Sequence, residues 1–428
     1  MAHFDMITFG WELELIVHLQ EGETDSAGLQ TVRLRELALS LKRQAPGLPI
    51  AAECAHHENS TCCICKDAPP EFRSYALRVF TPATPLFTPE SNSENLYFHV
   101  KREMLSVPEN KFGKRIAHGF EITSPILDNH ELKSGFAKTW QIVSALRNSD
   151  LSISAHKRCG LHIHVGVKTG MTLSIAKKAV TLVMLLEQPL FAAFSSTARA
   201  EDPTWFNYIG DKSCFAIDAE DAVRHCYSIT KDNTAADLLK HLPIRPSQIK
   251  PAMWNHYSAY KWYLTLDHIW KIPNTWRLFT GLLTDNGGKT SLAICTRTKD
   301  GKSVGEWDVY GLDGTDRLEG SQTTIEFRYP PMSFDTEFIK NWVEISCRIV
   351  AIATHDTPFF SQVAAGLLHE LQRDEKPSDL PKWARLLIAL GLGHQIGFWT
   401  QQLRRFEAGE TIRFLDSDGF VLPNISWK

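Results

Sequence analysis

Residues 9–16, FGWELELI, alternate between apolar and polar positions almost without a break. A period of two marks a half-buried strand, because successive side chains leave opposite faces of the backbone. Phe9, Trp11, Leu13 and Leu15 fall on one face; Gly10, Glu12, Glu14 and Ile16 fall on the other. The same spacing recurs at 119–123 (GFEIT), 159–167 (CGLHIHVGV) and 323–329 (TTIEFRY). Residues 96–101 (LYFHVK), 260–266 (YKWYLTL) and 291–296 (SLAICT) read as further strands. Helical spacing predicts helices over 29–45, stopped by Pro46-Gly47, and over 132–148 with Phe136, Trp140, Val143 and Leu146 inward. Two more follow residues of N-cap type: 173–187 behind Thr172 and 336–354 behind Asp335. The stretch 358–406 reads as helical with breaks around Pro377–Pro381 and Gly391–Gly393. Residues 47–95 and 298–320 keep neither period and read as loop. Separated strands with helices between them and a helical tail predict an α+β fold. The expected division is one domain over 1–355, with an irregular insertion at about 47–95, and a helical C-terminal extension, 356–428, packed on it.

Composition narrows the classes of function. The chain has 428 residues, of which 43% are hydrophobic and 22% charged, as in an ordinary globular protein. A formal net charge of −3 offers no overall field for nucleic acid or an anionic membrane, so neither is an expected partner. The opening MAHFDMITFGWELEL lacks a basic segment followed by an apolar one, and AVTLVMLLEQPLFAAF is interrupted by Glu187 and Pro189. Nine cysteines, four of them between Cys54 and Cys65, argue for a reducing, cytoplasmic setting over a disulfide framework. The glycine fingerprints of dinucleotide and P-loop sites are absent, as is the GxSxG of a hydrolase elbow.

The polar faces of the strands carry unusual side chains. Solvated faces normally carry Lys, Thr, Ser and Gln. Here they hold Glu12, Glu14, Glu121, Glu326, His162, His164 and Arg328. Gly160 and Gly166 flank the two histidines, which suggests room for a ligand to approach the backbone. Carboxylates brought together on one sheet would force some to protonate unless cations neutralise them. A carboxylate-rich group free of thiols suits Mg²⁺ or Mn²⁺.

Four segments, GWELEL (10–15), GFEITSPIL (119–127), CGLHIHVGV (159–167) and TIEFR (324–328), resemble in this order the motifs of the amidoligase family. That family belongs to the carboxylate–amine ligase superfamily, with glutamine synthetase and γ-glutamylcysteine ligase. The resemblance implies a curved antiparallel sheet of roughly six strands, a half-funnel with helices on its convex side, making 1–355 the catalytic domain. It also implies ATP and Mg²⁺ (or Mn²⁺) as cofactors. ATP would phosphorylate a substrate carboxylate, and an amine would attack the acyl phosphate to form an amide with release of ADP and phosphate. The substrates would be small-molecule carboxylates and amines, or a peptide. Carried over by position, Glu12, Glu14, Glu121, His164 and Glu326 would be metal ligands, with Glu103 a weaker candidate. Arg328 would contact the transferring phosphate, His162 and Lys261 would be further phosphate contacts, and Arg328, Glu326 and His164 would form the catalytic set.

The chain also departs from the family pattern. Tyr329-Pro330-Pro331-Met332-Ser333 stands where a more polar segment follows EFR, and the basic strand expected before EFR is represented at best by YKWYLTL with Lys261. A guanidino or carboxylate kinase on the same fold, or a degenerate protein that binds nucleotide or metal without turnover, are the alternatives. The segment CAHHENSTCCIC (54–65) adds a third, a zinc-stabilised interaction protein with Zn²⁺ on Cys54, Cys62 and Cys65, although no finger spacing is present.

Overall fold

The structure is a computed structural model that describes residues 2–19, 23, 27–53, 77–79, 96–105, 117–156, 159–195, 206–224, 236–244, 248, 259–299, 301, 304, 318–376, 378–408 and 420–421. The chain separates into two compact units, each assembled from distant stretches of sequence. The first comprises Phe9–His162, Pro331–Trp342 and Phe406–Lys428; the second comprises Met1–Thr8, Ile163–Pro330 and Val343–Arg405. The helices between residues 343 and 405 therefore group with residues 163–330.

The first unit is built on strands β1 (Ile7–His18, its first two residues counted in the second unit), β2 (Ile50–Glu53), β3 (Leu77–Val79), β4 (Phe98–Arg102) and β5 (Ala117–Thr123), in the order β3-β2-β4-β5-β1. Two short strands, β6 (Leu127–Asp128) and β7 (Ile153–His156), pair with β1. The β4–β5 and β5–β1 ladders are antiparallel, but β2 runs parallel to β4, so the β-structure is mixed where a wholly antiparallel sheet was expected. Side-chain alternation reports which face a residue occupies and carries no record of strand direction. β2 and β3 also lie inside 47–95, which the sequence leaves irregular. In IAAE the residues Ile50, Ala51 and Ala52 are all buried, so the strand shows no alternation to detect.

Helix α1 (Ala27–Gln44) packs on β2 and β4 through a stripe that buries Leu34, Leu37, Ala38 and Leu41. The single helix expected over 132–148 is two helices, α2 (Asn129–Lys133) and α3 (Ala137–Arg147). Gly135 and Phe136 between them have φ of 78° and 65°. A left-handed phenylalanine is uncommon. Here it seats a fully buried ring 6.1 Å from that of Phe9. The break rotates α3, so Thr139, Ile142, Val143 and Leu146 face inward. Trp140, expected inside, is 58% exposed. The Trp11 indole donates to Thr139 Oγ1 at 2.9 Å, tying α3 to β1.

The second unit holds β8 (Leu161–Val167), β9 (Leu292–Cys295) and β10 (Thr324–Phe327), with β10 antiparallel to both others. The boundary between units falls inside β8, after His162. α4 (Leu173–Leu186) starts where Thr172 Oγ1 accepts from the Ile175 amide at 3.2 Å and runs on into one π-helical turn, Glu187–Ala192, containing Pro189. α5 (Ile209–Lys212), α6 (Cys214–Arg224), α7 (Ala236–His241), α8 (Ala259–Lys271) and α9 (Thr275–Leu282) follow. α8 replaces the strand expected at 260–266. Trp262, Tyr263, Leu266, Ile269 and Trp270 recur at helical spacing over the full thirteen-residue AYKWYLTLDHIWK, and the helix buries Lys261, Leu264, Thr265 and Asp267 as well. α10 (Thr336–Ala353) begins at Asp335, which accepts from the Glu337 amide at 2.9 Å, and crosses from the first unit to the second after Trp342. α11 (Thr357–Gln372), α12 (Lys382–Ala389) and α13 (Ile396–Glu407) complete the helical C-terminal region. Among the described residues no helix is long and apolar enough to cross a membrane.

Candidate functional site

Each unit gathers one group of chemistry-bearing side chains. In the first, strand register does the gathering: Glu14 stands opposite Glu121 across β1–β5, and Lys101 stands opposite Glu121 across β4–β5. Glu12 shares the face of Glu14, two residues back along β1. The His162 ring lies against both, with Nδ1 3.3 Å from Glu12 Oε2 and Nε2 3.6 Å from Glu14 Oε1. The Gly160 amide donates to Glu14 Oε2 at 2.5 Å. One ligand atom from each of Glu12, Glu121 and His162 lies within 4.8 Å of the others.

The electrostatics of this group call for positive charge. Glu14, Glu121 and His162 are buried, and Glu12 is about one-fifth exposed at its side chain. Burial, followed by the charge of Glu12, pushes the Glu121 carboxyl up to about 8, against the opposing pull of Lys101 3.5 Å away. The half-buried Glu103 is raised too, first by burial and then by Glu14. Glu12, Glu121 and His162 could together hold a metal ion. Of the metal set that the resemblance implies, Glu12, Glu14 and Glu121 come together in the first unit with Glu103 beside them, whereas His164 and Glu326 belong to the group in the second unit. The resemblance gives His162 as a phosphate contact and as a weaker candidate than His164 for the metal-holding histidine; the structure sets the His162 ring against Glu12 and Glu14. The sequence reading misses Lys101, which sits on the strand face next to Glu121 because β4 pairs with β5.

In the second unit the centre is Glu326, fully buried on β10. His164 on β8 stands directly opposite it, and Cys295 on β9 stands opposite Thr324, on the same face as Glu326. Lys289 Nζ lies 2.6 Å from Glu326 Oε2, the Cys295 thiol donates to that oxygen at 3.1 Å, and the Arg328 guanidinium bonds Oε1. His164 Nδ1 is 3.4 Å from Thr324 Oγ1. Burial alone would lower the Lys289 ammonium; the Glu326 charge and the Cys295 sulfur overcome it and hold it above its ordinary value. Ligand atoms of His164, Cys295 and Glu326 lie within 4.8 Å of one another.

This second group corrects the sequence reading. The polar faces were expected to be free of thiols and lysines, yet Cys295 and Lys289 both reach Glu326. Alternation within SLAICT places Cys295 on one face, but only the pairing of β9 with β10 says what that face meets. Gly166, expected to clear space for a ligand, instead lets strands approach: a Cβ there would stand 2.9 Å from Thr8 Oγ1 and 3.3 Å from Thr324 Cγ2. Lys261, assigned to phosphate from a presumed strand, sits on helix α8 and pairs with Glu220 at 2.8 Å and Asp211 at 3.5 Å. Those two carboxylates account for its buried charge locally. Cys54, Cys62 and Cys65, the zinc candidates, lie outside the described residues.

Comparison of the chain with protein-family models and with curated proteins finds no match in either.

Proposed function

We propose that this chain is an ATP- and Mg²⁺-dependent carboxylate–amine ligase that forms an amide through an acyl phosphate. The observation that carries the reading is the convergence of Glu12, Glu14, Glu121 and His162 in the first unit, with Glu121 held up to about 8 by burial and carboxylate charge. Such a group is costly unless a cation enters it. Support also comes from the four ordered sequence motifs, whose acidic and imidazole residues lie on strands as that resemblance requires.

In this reading Glu12, Glu121 and His162 would hold the ion, and Glu14, fixed by the Gly160 amide, would orient His162. A bound Mg²⁺ neutralises phosphate oxygens and so assists phosphoryl transfer. Arg328 offers a planar fork to phosphoryl oxygens.

One observation favours a second reading, a nucleotide- or metal-binding protein without turnover: Arg328 and Lys289 already satisfy Glu326 internally. The test incubates the full chain with ATP, Mg²⁺, a panel of amino acids and dicarboxylic acids, and hydroxylamine as a general amine. The ligase releases ADP and phosphate in equal amounts with a hydroxamate. A kinase releases ADP with a phosphorylated product and no hydroxamate. Absence of ADP across the panel supports the binding protein.

A further inference from the structure

We infer that His164, Cys295 and Glu326 form a site for one thiophilic divalent cation of the zinc class, with Lys289 as the resident counter-ion that the metal displaces. The inference does not rest on the ligase reading, since it concerns only the side chains of the second unit and a metal without nucleotide.

Donor chemistry is the first support. One imidazole, one thiol and one carboxylate are the three ligand types that zinc accepts, and three protein ligands leave a fourth position open. Sulfur selects Zn²⁺ and its neighbours over Mg²⁺, which prefers oxygen alone. The Glu12–Glu121–His162 group has no sulfur, so the two groups differ in the metal each prefers.

Geometry is the second support. A tetrahedral ion with ordinary zinc bond lengths needs ligand atoms ~3.3–3.7 Å apart. Here they lie within 4.8 Å, and Cys295 Sγ is already 3.1 Å from Glu326 Oε2. Small χ rotations close the difference, because β8, β10 and β9 fix all three Cα positions on one face by ladder register. The ring of His164 is steadied by Thr324 Oγ1 at 3.4 Å, the sort of outer contact that orients a metal-bound imidazole.

Charge is the third and independent support. Glu326 is fully buried, yet its Oε2 faces an ammonium that also approaches Cys295 Sγ at 3.9 Å. Lys289 thus stands where a cation shared by Glu326 and Cys295 would stand. Its side chain is 42% exposed, so it can leave for solvent as the metal arrives. On binding, the Cys295 S–H bond breaks, the sulfur keeps the electron pair and donates it to the metal, and the proton goes to water. Arg328 stays on Oε1.

The test uses Co²⁺, which reports thiolate ligation by a charge-transfer absorption. Because Cys54, Cys62, Cys63 and Cys65 could also bind it, the full chain carries C54S, C62S, C63S and C65S together. One equivalent of Co²⁺ should raise the thiolate band, and Zn²⁺ should bleach it. C295S should abolish the band, H164A should weaken binding by more than the ~100-fold at which loss of an outer-shell partner tops out, and K289M should tighten it several-fold. E12Q should leave it unchanged. Absence of the band in the four-serine chain, or its survival in C295S, overturns the inference. Should the four-serine chain not fold, protection of Cys295 from alkylation by Zn²⁺ in the unmodified chain, read by peptide mass, replaces it. Equal alkylation with and without Zn²⁺ overturns the inference.

Discussion

The Tyr329 hydroxyl donates to Glu187 Oε1 at 2.7 Å, and both side chains are fully buried. Tyr329 opens the segment that departs from the family pattern, and its ring stacks on Phe191 with centroids 4.6 Å apart. It is therefore a core residue that satisfies a buried acid, and the departure begins as packing. Glu187 starts the π-helical turn after α4 and also accepts from the Ile209 amide at 2.8 Å.

Glu187 should make stability fall as pH rises through the neutral range. Burial pushes its carboxyl up to about 7, against the pull of the Ile209 amide and the Tyr329 hydroxyl. The folded state thus holds the proton more tightly than the unfolded state does. The contribution is fully present below the unfolded pKa and is lost as pH rises through about 7, a change on the order of 3 kcal/mol. Urea unfolding between pH 4.5 and 8 should show this decline, and Glu187→Gln should flatten it. An unchanged slope in the variant would contradict the assignment.

Divalent cations should stabilise the protein through the Glu12–Glu121–His162 group. Mg²⁺ or Mn²⁺ must displace the proton that Glu121 retains up to about 8, so the rise in Tm should be larger at pH 8.5 than at pH 6. Glu12→Gln should remove most of the rise. Since Glu12 is partly exposed, the variant should keep its metal-free Tm within a few degrees. Equal shifts in the variant and the natural chain would place the ion elsewhere.

Glu326 cannot be neutralised without structural cost. Glu326→Gln leaves Lys289 and Arg328 facing a group without charge and should destabilise the chain by about 1–3 kcal/mol. Adding Lys289→Met should recover part of that, because the two residues are directly paired. A double-mutant cycle by chemical denaturation measures the coupling; additive effects would mean that the pair contributes nothing.

Gly281 on α9 should tolerate no side chain. A Cβ there would stand 2.0 Å from the Phe215 ring. Gly281→Ala should cost about 1–3 kcal/mol by overpacking, read as a lower Tm, and Phe215→Leu should restore part of it. A neutral Gly281→Ala would show that the ring moves freely.

How much of this was legible beforehand follows from what periodicity encodes. The alternation in FGWELELI and CGLHIHVGV placed Glu12, Glu14, His162 and His164 on polar faces, and Thr172 and Asp335 marked two helix starts that the structure keeps. YKWYLTL misled because seven apolar-rich residues satisfy either period, and burial on a helix settled the choice. IAAE was invisible because a strand buried on both faces loses alternation.

By itself, the sequence determined which residues share a face of each strand, since side-chain direction along a strand is a local property of the backbone. Which faces meet was decided only by tertiary structure. Lys101 reached Glu121, and Cys295 and Lys289 reached Glu326, through ladders between strands far apart in the chain. Strand pairing and its direction arise from burial summed over the whole unit, and no local spacing records them.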